Sequence, residues 1–243
     1  MDKEYLKNIR RLLEHVETTQ AETIDVIAGK CAEAIYKEKL LYFFGTGHSH
    51  MICEEPFYRA GGLASIYPIL EPSFMLHEGA SKSSCYERVQ NSGTVAVAQS
   101  GIGKGDVLFV ISNSGRNCAP IDAAIEGKRR GAVTVAITSL RHSGSVASRH
   151  PNGKRLFEVC DYCLDNGGEP GDASVSLEGM NQKIGPTSSI IDMVMVNLVI
   201  VETVRKLLQK GIKPPVFISA NVDNGEEINS DIIAEYQKRI KIL

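Results

Sequence analysis

The chain reads as an α/β fold, a parallel sheet with helices over both faces. Three observations predict it. Short apolar runs such as Val107 to Ile111 and Val133 to Thr138 alternate with helical stretches, the pattern of βαβ units. Two runs end in loops of glycine and serine that lead straight into a helix, Gly45-Thr46-Gly47-His48-Ser49 and Ser112-Asn113-Ser114-Gly115-Arg116-Asn117. Finally, 243 residues with 43% hydrophobic and 23% charged are an ordinary globular composition that can bury a large core.

Residues 2–38 carry two apolar stripes at helical spacing, Leu6, Ile9, Leu13 and Val16, then Ile24, Ile27, Cys31, Ala34 and Ile35, which predict two helices ahead of the sheet. Leu40 to Phe44 is the first strand, followed by a helix from His50 to Ala60 that Gly61-Gly62 ends. Ala64 to Ile69 is the second strand. Residues 70–105 show no clear period beyond a short helix around Ser84 to Asn91. Val107 to Ile111 is the third strand, Ala119 to Arg130 its helix, Val133 to Thr138 the fourth strand and Leu156 to Leu164 the fifth. A polar stretch, Asp165 to Gly185, leads through Pro186-Thr187-Ser188-Ser189 into a long apolar helix to about Leu208. Pro214-Pro215 then breaks the chain before a last helix, Glu226 to Ile240. No repeat or linker divides the chain. It is read as one domain over 1–243, with leading helices at 1–38, an α/β core at 39–210 and a C-terminal extension at 211–243.

A net charge of −2 gives no general attraction to nucleic acid or to an anionic membrane, so any anion must be bound locally. The Ile190 to Val204 stretch is interrupted by Asp192, Asn197 and Glu202 and is too short to span a bilayer. The charged opening Asp2-Lys3-Glu4 is no secretory signal, and six scattered cysteines suit a reduced compartment, so the expected location is cytoplasmic. Cys160 and Cys163 form a lone C-x-x-C without the second pair that a zinc site needs. His48 and His50 have no third ligand fixed nearby, so no metal is expected.

The two strand-to-helix loops carry the chemistry. A helix N-terminus leaves unpaired N–H donors and partial positive charge, so an anion sits there without a basic patch. Ser112 and Ser114 add hydroxyls, Gly115 allows close main-chain approach, and Asn113 and Asn117 are polar neighbours in the same loop. The plainer reading is a helix N-cap alone, since Ser and Asn are favoured there. Gly47 and Ser49 offer similar chemistry in the first loop, and Thr187, Ser188 and Ser189 deliver hydroxyls ahead of the long helix. In open parallel sheets ligands bind beyond the carboxyl ends of strands, where both strand loops lie. The first loop is not the dinucleotide fingerprint, because His50 stands where its third glycine would be, and no cofactor is expected.

With these pieces the chain resembles the sugar isomerase (SIS) domain family, which binds phosphorylated sugars. The matching segments are Gly45 to Ser49, Ser112 to Asn117 (with Asn117 where the family has Thr) and Gly185 to Ser189. The resemblance implies a five-stranded parallel sheet in doubly wound, flavodoxin-like order. It further implies that Ser112, Ser114 and Asn117 hold phosphate, that Ser49 and Ser188 contact phosphate or sugar hydroxyls, and that the chain forms a homodimer or homotetramer. The apolar helix 190–204 would then face a partner.

Aldose–ketose isomerisation needs a base beside the carbonyl and an acid for its oxygen. Glu54, Glu55, Glu78 and Glu178 are the leading carboxylates, and His48 and His77 the leading imidazoles. The phosphoheptose isomerases use a Glu after the first loop and a His on the late helix. Glu54 and Glu55 follow that loop here, whereas no His lies between Ser188 and Leu208. Muramic acid phosphate etherases, another SIS branch, work through glutamates, and Glu178 to Thr187 is similar to their late segment. Glu54 and Glu55 can also simply complement the dipole of their helix. Arg116 either binds the anion or points to solvent. His142 and His150, with Arg141, Arg149 and Lys154, are surface charges or line the mouth of the crevice. The expected function is binding of a phosphorylated sugar and its isomerisation by general acid/base proton transfer, with a non-catalytic phosphosugar sensor or a phosphosugar lyase or etherase as the alternatives. A DNA-binding regulator is disfavoured, because residues 1–38 are too few and too little basic for a helix-turn-helix module.

Overall fold

The structure, a computed structural model, describes residues 3–243. Helices α1 (Glu4–Thr19) and α2 (Ala21–Tyr36) precede strand β1 (Leu41–Gly45), helix α3 (His50–Glu54) and strand β2 (Ile66–Ile69). Helices α4 (Ala80–Tyr86) and α5 (Ser92–Gln99) lead to β3 (Val107–Ile111), α6 (Cys118–Arg129) and β4 (Val133–Thr138). Next come α7 (Leu140–Gly144), α8 (Leu156–Val159), β5 (Tyr162–Asp165), the pair β6 (Ala173–Val175) and β7 (Ile184–Pro186), α9 (Ser188–Gln209) and α10 (Gly225–Tyr236). The first five strands form one sheet in the order β2-β1-β3-β4-β5, every pair parallel.

Strand residues point alternately to opposite faces, and both faces are buried, which is why these strands are apolar throughout. Leu41, Phe43, Phe109, Ile111, Val135 and Ile137 meet α1, α2 and α9 on one side. Tyr42, Phe44, Leu108, Val110 and Ala136 meet α5 and α6 on the other. Phe43 and Phe109, opposite each other in register, stack with centroids 4.6 Å apart.

Four segments differ from expectation, each for a local reason. The helix after the first loop stops at Glu54, because Pro56 has no N–H to continue it. The strand expected over 156–164 begins as a helical turn. Glu158 accepts the N–H of Arg155 at 2.7 Å and its Nε at 2.8 Å, and β5 starts only at Tyr162. The helix expected around 84–91 runs from Ala80 to Tyr86, and α5 follows it after Asn91, a left-handed residue at φ 64°. Lastly, β6 and β7 form an antiparallel pair inside the stretch read as irregular.

Helix α5 could pack tightly on α6 because Gly93 has no side chain. A Cβ built there would lie 1.9 Å from the carbonyl oxygen of Ala119. Backbone cannot swing aside as a flexible side chain does, so Gly93→Ala should force the helices apart. The expected cost is about 2 kcal/mol of unfolding free energy, read by urea denaturation. An unchanged midpoint would refute the packing argument.

After α9 the chain returns to the sheet edge. Gly61 N–H donates to Phe217 O at 2.8 Å, Phe217 N–H to Gly62 O at 3.0 Å, and Ala64 N–H to Pro215 O at 2.8 Å. Asn229 of α10 clasps this return, accepting from Ile218 N at 3.1 Å and donating to Ile218 O at 2.9 Å. Helix α9 buries Ile191, Met195, Val196, Val199, Ile200 and Leu207 and leaves Ile190, Leu198, Val201 and Leu208 exposed. Among the described residues no helix is long and apolar enough to cross a membrane.

Candidate functional site

The strand order reverses direction between β1 and β3, so a crevice opens there beyond their carboxyl ends. The first loop leaves β1 at Gly45, where a Cβ would lie 2.5 Å from Ser49 O, and turns at Gly47 with φ 57°. His48 is exposed, Ser49 is half-buried, and the His50 ring meets Gly47 O through Nδ1 at 2.5 Å.

The second loop leaves β3 and is clamped from several sides. Asn113 O accepts Ser139 N–H and Thr138 Oγ1–H, both at 3.1 Å, and Gly115 O accepts Leu156 N–H at 2.8 Å. Gly115 N–H donates to Ser112 Oγ at 3.2 Å, and Gly115 takes a left-handed φ of 57°. A Cβ there would meet Ser143 Oγ at 2.9 Å, so glycine is required both for the turn and for the space. The N–H groups of Ser114, Arg116 and Asn117 and the Ser114 hydroxyl have no partner among the described residues. These are donors gathered at the start of α6, the arrangement that suits an anion.

Asn117 stands at the N-cap of α6 but its side chain does not cap the helix. It donates instead to Glu87 Oε1 at 2.7 Å and accepts from Arg149 Nη1 at 2.9 Å. The other Glu87 oxygen accepts the Thr46 hydroxyl at 2.9 Å, and Glu87 O accepts Ala119 N–H at 3.0 Å. Glu87 therefore ties the first loop to the second across the switch point. Burial raises its carboxyl above the ordinary range, against the Thr46 hydrogen bond and the charges of Arg88 and Arg149. A half-buried carboxylate with a raised pKa is suited to proton transfer.

At the third loop the donors of Thr187 and Ser188 are already used. Asp172, in left-handed conformation at φ 70°, accepts Thr187 N–H at 3.1 Å, Ser188 N–H at 2.8 Å and the Ser188 hydroxyl at 2.7 Å. A carboxylate thus caps the long helix α9 where a ligand anion was expected, and Ser189 lies half-buried beside it. Behind this cap sits Asp192, 1% exposed, whose Oδ1 accepts Asn166 Nδ2 at 2.8 Å. Burial pushes its carboxyl up to about 7; the Asn166 hydrogen bond opposes this and the charge of Asp172 adds to it.

Of the other expected carboxylates, Glu55 is ion-paired with Arg59 and accepts Asn197 Nδ2 at 3.3 Å, between α3 and α9. Glu54 is exposed, 3.8 Å from His50 Nε2. Glu78 is exposed, as is Glu178 in the loop joining β6 and β7. His77 is exposed, its ring 6.2 Å from that of His50. Arg116 donates through Nε to Ala147 O at 3.1 Å, and His150 pairs with Asp122 at 3.0 Å. His142 lies between the second and third loops, within electrostatic reach of Arg116 and Asp172, with Nδ1 buried and unpaired. Burial lowers its pKa, so it is a neutral imidazole near pH 7. Glu87, Asp172 and Asp192 were not among the candidates from sequence.

Comparison with known proteins identifies the family and the fold. The SIS domain profile matches residues 4–139. UPF0309 protein lin2794 of Listeria innocua is 41% identical over 239 residues, covering 98% of this chain and 97% of that one. The chain belongs to the SIS domain family. Two solved structures share the fold of this SIS domain. One is the Vibrio vulnificus NanR protein complexed with ManNAc-6P (TM-score 0.53, 13% identity, 95% of this chain and 67% of that one). The other is phosphoheptose isomerase GmhA from Neisseria gonorrhoeae (TM-score 0.50, 16% identity, 82% of this chain and 92% of that one).

Proposed function

We propose that this SIS domain binds a phosphorylated sugar at the β1–β3 switch point and isomerises it by proton transfer. The observation that carries the reading is the Glu87 carboxylate, raised in pKa and held between Thr46 and Asn117, beside a loop of unpaired N–H donors. The phosphate sits on the Ser112–Asn117 loop, with Gly47 and Ser49 closing it from the first loop. Thr187, Ser188 and Ser189 border the sugar end, where Asp172 is an acceptor for hydroxyls. Glu87 takes the proton next to the carbonyl, and an imidazole, His142 or His48, serves the carbonyl oxygen. Among the described residues, Glu55, Glu78, Glu178 and His77 make no hydrogen bond to Glu87 or to the Ser112–Asn117 loop and serve as controls. The partners of two fold relatives, a phosphorylated amino sugar on NanR and the phosphoheptose named for GmhA, are of this chemical class.

A second reading is a sensor that binds without turnover; NanR, of the same fold, is complexed with ManNAc-6P. A thermal-shift screen with sugar phosphates and the matching unphosphorylated sugars tests binding. At a hundredfold excess over Kd a phosphosugar should add about 2.7 kcal/mol of stability, and its unphosphorylated partner nothing. Equal effects from both would refute the phosphate site. Following the stabilising sugar by NMR then separates isomerase from sensor: conversion supports the first, unchanged sugar the second.

A further inference from the structure

Asp192 does not border the crevice, yet it is joined to the phosphate loop by one intervening side chain. Asn166 Nδ2 donates to Asp192 Oδ1 at 2.8 Å and to Asn113 Oδ1 at 3.1 Å. The Asn166 oxygen is taken by Gly168 N–H at 2.9 Å, so this carboxamide is held at both ends and cannot flip. Each contact removes a choice from the next. With Gly168 N–H on its oxygen and Asp192 Oδ1 as an acceptor, Asn166 must turn its NH2 group toward Asp192. That same NH2 group must then meet an oxygen on Asn113. The Asn113 NH2 group is left without a partner among the described residues, next to Ser112 and Ser114.

We infer that Asp192 is a positioning residue that acts through Asn166 to set the Asn113 carboxamide with its NH2 group toward the bound anion. Asn113, like Asn117 between Glu87 and Arg149, is a loop side chain whose polarity is fixed from outside the loop, and the long helix α9 thereby takes part in the grip on the ligand. Burial of Asp192 against Ile191, Met195 and Val196 of the same helix keeps water from substituting for the relay. The inference rests on the phosphate-ester reading of the Ser112–Asn117 loop.

The test is calorimetric titration of the full chain with inorganic phosphate and with glucose 6-phosphate. Asp192→Leu, similar in size but with no acceptor, should weaken binding at least tenfold. Asp192→Asn, whose carbonyl can still take the Asn166 proton, should stay within about twofold. Asn113→Ala combined with Asp192→Leu should bind no more weakly than Asn113→Ala alone, because the relay ends at Asn113. Undiminished binding by Asp192→Leu, or losses that add in the double variant, would overturn the inference. A wild type that binds neither probe overturns the phosphate reading and the relay with it. A second measurement needs no variant that might fail to fold. The side-chain amide resonances of Asn113 in the wild type should shift on adding phosphate, and resonances that stay put count against the relay.

Discussion

Replacing Glu87 by Gln should lower turnover of a converted sugar phosphate by roughly 10²- to 10⁴-fold, the usual worth of a positioned base, while its Kd changes little. Glutamine keeps the size and can still accept from Asn117 and donate to the Thr46 oxygen, so the two loops stay joined. What it cannot do is carry a proton. The matching control is Glu55→Gln, whose carboxylate is engaged by Arg59 and Asn197 and should leave turnover within a few-fold. Full activity in Glu87→Gln would remove it as the base. A fall in affinity with unchanged turnover would make it a tether between loops and nothing more.

The second large effect is on stability and comes from Asp192. Its folded carboxyl, pushed up to about 7, binds a proton more readily than the same group in the unfolded chain. Between the ordinary Asp range and about pH 7 the folded state therefore holds more protons, and stability must fall as the pH rises through that window. At about 1.4 kcal/mol per unit, moving from pH 5 to pH 8 costs the wild type about 3 kcal/mol relative to Asp192→Asn, which has no proton to lose. The groups with lowered pKa, Glu126 and Glu158 among them, act in the opposite direction and cancel in the comparison because both proteins carry them. Urea denaturation of the two proteins at pH 5 and pH 8 decides the matter. A difference between them that does not change with pH would show that Asp192 titrates normally.

Much of the frame was legible in the sequence. Val107 to Ile111 and Val133 to Thr138 form strands with the bounds that their composition predicts, because runs buried on both faces need no partner to identify them. The Ser112–Asn117 loop was legible for a related reason, since its turn, its hydroxyls and its place before a helix are all local. The rest depends on residues that meet only in three dimensions. Glu87 lies 41 positions from Thr46 and 30 from Asn117, in a short helical stretch with nothing local to pair it with either. Nothing around Tyr86 and Arg88 marks it as different from a surface acid. Asp192 does carry a local clue. It occupies the apolar stripe of α9 with Ile191, Met195 and Val196, and a carboxylate on a buried stripe calls for a partner. Asp172 could not be read, because its role as a cap depends on a left-handed turn inside a stretch that the sequence leaves shapeless.

The return of the chain at 215–217 to the segment before β2 bears on how the molecule is made. At the usual pace of protein synthesis, residues 61–64 leave the ribosome roughly 8–30 s before the stretch that hydrogen-bonds to them. For that interval the Gly61 and Ala64 amides and the Gly62 carbonyl have only water as a partner. Half-finished copies are thus the stage at which this polypeptide is most prone to sticking to its neighbours. A folding helper that recognises unpaired edges would find its target there.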